Sequence, residues 1–303
     1  VNTISTLFYG DNFMKIYENV FADIGYTKRY ENGLRIKLNA LYEDRKPLDN
    51  TTNFTVFKKD SSNITPNYPT EQLNKQFTPH KAFIVSVDIS FKPGQQYIQF
   101  PSNKVAIGSK YPTFTFNYTK GISNVFGSGV NFDKWKIGIA DDLNFRIGGL
   151  LKYRLGVGGF LNNRKVYIQD FQHFNGNLTG VASDYLNSFQ LASYYGNSNM
   201  ESFYAVAHLE HHFNGLLTNK IPLFKKLNWF LVAGTNTFYV NSINNHVEVF
   251  AGIENILKIF RVDFVAAFEN GRRSQTALRI GFGGLIGGNM NTSGRGNAIS
   301  FSF

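Results

Sequence analysis

Period-two alternation of apolar and polar side chains, repeated in about a dozen segments, restricts the folds open to this chain more than any other feature. In 34–43, Leu34, Ile36, Leu38, Ala40 and Tyr42 share one face, while Arg35, Lys37, Asn39 and Glu43 share the other. The preceding Glu31-Asn32-Gly33 is a hairpin-turn signal. Segment 82–91 repeats the pattern, with Phe83, Val85, Val87, Ile89 and Phe91 opposite Ser86, Asp88 and Ser90. So does 113–119, where Phe114, Phe116 and Tyr118 oppose Thr113, Thr115, Asn117 and Thr119. The same reading makes 145–157 one strand, with Arg146, Lys152 and Arg154 on its polar side. Five further runs, at 203–213, 227–239, 247–254, 260–269 and 276–284, follow one another through mostly short connections, as a meander does.

Alternation alone does not say which row meets a core and which meets solvent. No apolar run approaches the length of a membrane helix, so a spanning chain of this kind must cross with strands closed into a barrel. A soluble all-β sandwich is the competing arrangement. Two features favour the barrel. Glycine recurs on the charged side, at Gly148, Gly156, Gly158, Gly252 and Gly281, which suits a curving sheet. Tyr26, Tyr42, Tyr118, Trp135, Trp229 and Tyr239 lie near segment ends, where an interfacial girdle would need them. The expected fold is therefore an all-β, antiparallel transmembrane β-barrel of about 12 or more strands.

The inward row then carries Arg146, Lys152, Arg154, Glu248, Glu254, Arg261, Asp263, Glu269 and Arg279. Such charges either tune an aqueous pathway or pair across strands and fill the lumen. His208, Glu210 and His212 alternate onto one face and form a weak candidate metal site, against which stands a hydrogen-bonded strand end beside Asn214-Gly215. Asp141-Asp142 is expected in a turn, and no nucleophile elbow, Walker loop or dinucleotide fingerprint is present, so no catalytic residue, cofactor or enzyme activity is expected. The absence of cysteine excludes disulfides and thiolate metal sites. The net charge of +10 comes from Lys and Arg scattered along the chain, which argues against nucleic acid as a partner.

Two long stretches, 44–80 and 160–199, break the alternation and are expected as external loops. Segment 215–227, GLLTNKIPLFKKL, is either an amphipathic turn with its apolar residues at the rim or lipid and its lysines near phosphates, or a plain polar connection. The chain ends Ala298-Ile299-Ser300-Phe301-Ser302-Phe303. Phe301 and Phe303 resemble the terminal aromatic signal by which outer-membrane barrels are handed to the barrel-assembly machinery. The Gly-rich run 283–296 leaves either 276–285 or 298–303 as the closing strand.

Several longer phrases, MKIYENVFADIGYTKRYENGLRIKLNALYEDRKPL at 14–48, YPTFTFNYTKGI at 111–122, HLEHHFNGLLTNKIPLFKKL at 208–227, VEVFAGIENILKIFRVDF at 247–264 and ALRIGFG at 277–283, resemble a family. It is a Bacteroidota outer-membrane β-barrel family of unknown function whose longer members carry an N-terminal carboxypeptidase-regulatory-like domain. The resemblance implies that residues 1–303 are the C-terminal part of a single, larger barrel, with the accessory domain outside this chain. It also implies the outer membrane of a Gram-negative bacterium as the location. Members stop soon after the strand matching 277–283, whereas this chain continues to Phe303. The expected function is a non-enzymatic channel or a component of an export or outer-membrane biogenesis complex, with a structural or surface-adhesion barrel whose lumen is plugged as the alternative. The expected partners are outer-membrane lipid and lipopolysaccharide, the assembly machinery, and other outer-membrane or periplasmic proteins.

Overall fold

The structure is a computed structural model that describes residues 2–57, 64–72, 77–101 and 104–282. The chain is all-β. Its strands are β1 (Tyr17–Arg29), β2 (Leu34–Pro47), β3 (His80–Phe91), β4 (Gln96–Gln99), β5 (Lys104–Gly108), β6 (Thr113–Gly121) and β7 (Asn131–Asn144). There follow β8 (Leu150–Lys165), β9 (Tyr204–His212), β10 (Phe230–Asn241), β11 (Asn244–Ile256), β12 (Phe260–Glu269) and β13 (Arg272–Phe282). Two short helices, α1 (Asn2–Tyr9) and α2 (Pro222–Leu227), complete the regular structure with a few 3-10 turns.

Eleven strands form one antiparallel sheet in the order β1-β2-β3-β6-β7-β8-β9-β10-β11-β12-β13, and β4-β5 is a separate hairpin between β3 and β6. Every connection in the large sheet therefore joins immediate neighbours, as short links between alternating strands dictate. The sheet ends at β1 and β13, which do not pair with each other among the described residues.

The strand at 145–157 needs correcting. Phe145–Gly149 is a tight turn, in which the Asn144 side-chain oxygen accepts from the Arg146 N–H at 2.8 Å and Phe145 N–H donates to the Gly149 carbonyl at 2.8 Å. Arg146 has a φ of 56° and is exposed there, so it and Gly148 leave the alternating register. The two long breaks also shrink, because β2 runs on to Pro47 and β8 to Lys165. Of the two alternatives for the closing strand, 276–285 coincides with β13 as far as Phe282, whereas 298–303, with Phe301 and Phe303, lies outside the described residues, as does the rest of 283–303.

The two faces of the sheet differ in an unusual sense. In the C-terminal strands the apolar row stands open: Phe264 is 51% exposed, Ile280 55% and Leu278 65%. The charged row is covered, with Asp263 and Glu248 at 0% and Arg279 at 7%. A soluble sheet does the reverse, since water rewards exposed charge and penalises exposed leucine and phenylalanine.

What covers the charged face is the β8–β9 connection, residues 166–203. It holds no strand of the main sheet, yet three apolar clusters seat it along the sheet. Val166 and Tyr167 pack against Ala82, Ile84, Val130, Phe132 and Phe160. Phe174, Phe189 and Ala192 pack with Tyr204, Phe238 and Val240. Tyr185 and Leu191 pack with Phe250, Val265 and Ala267. The rings interlock: Phe174 stacks on Phe238 at 4.1 Å, and Phe189 meets Phe238 edge-on at 5.1 Å. Several offset or edge-on pairs of this kind contribute about 0.5–1.5 kcal/mol each beyond area burial.

Candidate functional site

The site is the contact between segment 166–203 and the charged row. Its centre is a clamp on the backbone at Gln190-Leu191. Glu248, on β11, accepts from the Gln190 N–H and the Leu191 N–H at 2.7 Å each. Arg279, on β13, donates through Nε and Nη2 to the Gln190 carbonyl at 3.0 and 2.7 Å. Gln275 donates to the Leu191 carbonyl. A segment without a ladder of its own must satisfy its buried backbone groups elsewhere, and here strand side chains do so. His246 Nε2 lies 2.8 Å from the Glu248 carboxylate, and its Nδ1 lies 3.2 Å from Glu269.

Toward the β7–β8 turn end of the sheet, Arg261 bridges Glu210 at 2.9 Å and Asp263 at 2.8 Å. Tyr185 of the covering segment lies over this pair, with the Arg261 guanidinium 4.3 Å from its ring centre. Burial pushes the Tyr185 hydroxyl well above its ordinary value, and the Asp263 carboxylate pushes the same way, so it stays a neutral phenol. His212 sits between Glu210 and Glu254, 2.6 and 2.9 Å away. The pairing needs Gly252, directly across from Asp263 in the β11–β12 register. A Cβ there would collide with the Asp263 carboxylate and the Val262 carbonyl. Gly252→Val should therefore break the Arg261–Asp263 pair and cost about 3 kcal/mol, read as a lower urea midpoint of unfolding.

At the far edge, Asp170 in the 3-10 turn Ile168–Asp170 meets Arg45 of β2 at 2.8 Å. Arg45 also meets Glu43 at 2.5 Å, and Glu43 in turn accepts from Asn19 of β1 at 2.6 Å. His80 of β3 stacks on Tyr167 with ring centres 3.5 Å apart. The covering segment is thus tied to β2 and β3 at one side and to β11 and β13 at the other. Its Gly180–Ala182 stretch also lies along the outer edge of β13, where Ala182 N–H donates to the Ile280 carbonyl at 2.8 Å.

His173 holds the segment's own shape, with Nε2 2.8 Å from the Ile168 carbonyl and Nδ1 2.7 Å from Ser198 Oγ. Burial, helped by the Lys134 ammonium, holds its pKa below the ordinary value, while the Ile168 carbonyl and Asp170 pull the other way. The folded segment therefore binds a proton less readily than the unfolded one. Its stability is complete above the ordinary histidine value of about 6.5 and is lost as pH falls through that value toward the folded one. Proteolytic cleavage within 166–203 should accelerate between about pH 7.5 and about pH 5, and His173→Gln should remove most of that difference.

Of the charges expected on the inward row, Glu248 and Arg279 hold the segment, Arg261 pairs with both Asp263 and Glu210, Glu254 meets His212, and Glu269 meets His246. Arg154 donates to the Asn187 side chain of the segment. Lys152 lies on the same face, opposite Glu210 in register, and is half-buried. Arg146 is in the β7–β8 turn, away from all of these. His208, Glu210 and His212 do share the covered face, but His208 turns to Asn236 at 3.0 Å while Glu210 and His212 turn to each other. Among the described residues no group of three or more His, Asp or Glu is arranged to hold a metal ion.

Alternation places Glu43 on a polar face without marking it as a site residue, and it gives no sign of Arg45, His80, Asp170 or the Gln190 backbone. The signal that would have found the segment is its spaced Phe171, Phe174, Tyr185, Phe189 and Leu191 inside an otherwise Asn-, Gly- and Ser-rich stretch. An external loop has no use for such large apolar residues.

Fold and site together define an all-β meander with an apolar open face and a charged face covered by an internal segment. Residues 1–253 match the C-terminal domain of a family of unknown function, DUF5686, and the chain belongs to that family. The match ends within β11, so β12 and β13 lie beyond it. No curated protein matches the chain.

Proposed function

We propose that this chain is the membrane-embedded part of a non-enzymatic outer-membrane β-barrel of a Gram-negative bacterium, with its lumen closed by segment 166–203. The observation that carries this is the inverted sheet, with Phe264, Leu278 and Ile280 open and Glu248, Asp263 and Arg279 covered. Lipid is the environment that rewards such an arrangement, because the hydrocarbon takes the apolar row and the barrel interior takes the charges. The open sheet of the described residues is then an arc of a closed barrel, consistent with the resemblance to longer Bacteroidota proteins.

A lumen crossed by a clamped segment does not suit a passive diffusion pore. It suits a component of an export or outer-membrane biogenesis complex, in which a partner displaces the segment. A surface or adhesion barrel with a permanent plug is the second reading, favoured by the number of independent ties on the segment. The intact protein should be silent in planar bilayers, and replacing residues 168–200 by a short Gly-Ser linker should produce stable open steps. Open steps from the intact protein would exclude a closed lumen, and a silent deletion variant that still folds would exclude 166–203 as the plug.

A further inference from the structure

Because the large sheet is a meander, the connections β7–β8, β9–β10 and β11–β12 emerge side by side at one end of it, beside the β3–β6 connection and the β1–β2 turn, where Glu31 pairs with Lys104. Together the first three carry Arg146, Lys220, Lys225, Lys226 and Lys258 and not a single Asp or Glu. Segment 166–203, which leaves the strands at the opposite end, is the converse, with Asp170, Asp184 and Glu201 and no Lys or Arg. None of the five basic side chains has an ion-pair partner among the described residues.

The same three connections are apolar at their tips. Ile147 is 83% exposed, Leu257 78% and Leu223 58%. In α2, Leu223 and Leu227 fall on one side and Lys225 and Lys226 on others, as helical spacing requires. Phe224 and Trp229 pack edge to face at 5.6 Å and root the helix to the start of β10. Tight turns in water favour polar residues, yet leucine and isoleucine stand open at three neighbouring tips. They continue the open apolar row past the strand ends, just where the basic residues begin.

We propose that this end of the sheet is seated in the headgroup layer of an anionic leaflet, with Ile147, Leu223 and Leu257 at the acyl boundary and the Arg146, Lys220, Lys225, Lys226 and Lys258 side chains on lipid phosphates. Long aliphatic stems let lysine and arginine reach phosphate while lying over apolar surface. An interfacial segment gains from apolar insertion and from attraction to anionic lipid together. The proposal rests on the membrane reading given above and adds the rim, its lipid chemistry and the orientation of the sheet.

The chain contains no cysteine, so one introduced cysteine is labelled uniquely. Leu223→Cys, Ile147→Cys and Phe264→Cys proteins, each carrying a polarity-sensitive fluorophore, are reconstituted into vesicles of phosphatidylcholine alone or with phosphatidylglycerol. The Phe264 label should report hydrocarbon in both. The Leu223 and Ile147 labels should be quenched by a lipid with a headgroup-level nitroxide, about two-fold more strongly in the anionic vesicles, and high salt should abolish the excess. Combined Lys220→Gln, Lys225→Gln and Lys226→Gln changes should remove the excess at Leu223. Water-like signals from both rim labels, with Phe264 in lipid, would overturn the rim assignment and leave the membrane reading standing. Equal quenching in the two compositions would overturn the anionic-headgroup assignment. A water-like Phe264 label would overturn the membrane reading and this proposal with it.

Discussion

On the closed-lumen reading proposed above, Glu248→Ala should turn a silent protein into one that flickers open in planar bilayers. The carboxylate is the partner of two buried N–H groups, those of Gln190 and Leu191, and alanine leaves both without an acceptor. An orphaned buried donor costs about 1–3 kcal/mol, so with two of them the segment should lose about 2–6 kcal/mol of its hold on the sheet. The same change removes the partner of His246, whose Nε2 lies 2.8 Å from that carboxylate. Arg279→Met removes the two donors to the Gln190 carbonyl and should act in the same direction, more weakly, because it leaves one carbonyl rather than two N–H groups without a partner. Arg45→Met, at the other side of the segment, breaks the tie to Asp170 but not the central clamp. It should expose the part of the segment near Asp170 to protease without raising conductance. Equal conductance from the Arg45 and Glu248 variants would mean that the clamp at 190–191 is not what holds the segment in place.

The second large effect tests which face meets lipid. Phe264→Arg or Ile280→Arg puts a guanidinium in the middle of the open row, and near the bilayer midplane this costs about 2–4 kcal/mol. Folding into vesicles, followed by heat-modifiable gel migration, should fail or require much gentler conditions. Thr115→Arg is the matched control. Thr115 belongs to the other row, across from Gly138 in the β6–β7 register, and it remains exposed because segment 166–203 does not reach it. An arginine there enters polar space and should be tolerated. Similar damage from Phe264→Arg and Thr115→Arg would contradict the face assignment, and no damage from either would return the sheet to water.

Much of the architecture could be read without coordinates because a strand's side chains alternate strictly, so a run such as Phe260, Val262, Phe264, Ala266 and Phe268 declares both the strand and its two faces. The run at 260–269 coincides with β12, and those around 34–43, 82–91 and 113–119 lie within β2, β3 and β6. The failure at 145–149 has a physical origin. Phe145, Ile147 and Arg146 imitate alternation, but the Asn144 side chain and two consecutive glycines favour a turn, and the turn prevailed. Segment 166–203 was misplaced for a related reason. Its composition resembles an exposed loop, while its packing is decided by partners far away in sequence, such as Phe238, Phe250 and Val265.

Local periodicity by itself determined most strands of the large sheet, their succession and the division of each into an apolar and a polar row, because those depend only on spacing along the chain. The tertiary structure alone decided that Glu248 and Arg279 meet the backbone of Gln190, that Arg45 meets Asp170, and that segment 166–203 is what covers the charged row. Each of those contacts joins residues 58, 89 or 125 positions apart, and no local pattern encodes where a loop without periodicity will come to rest.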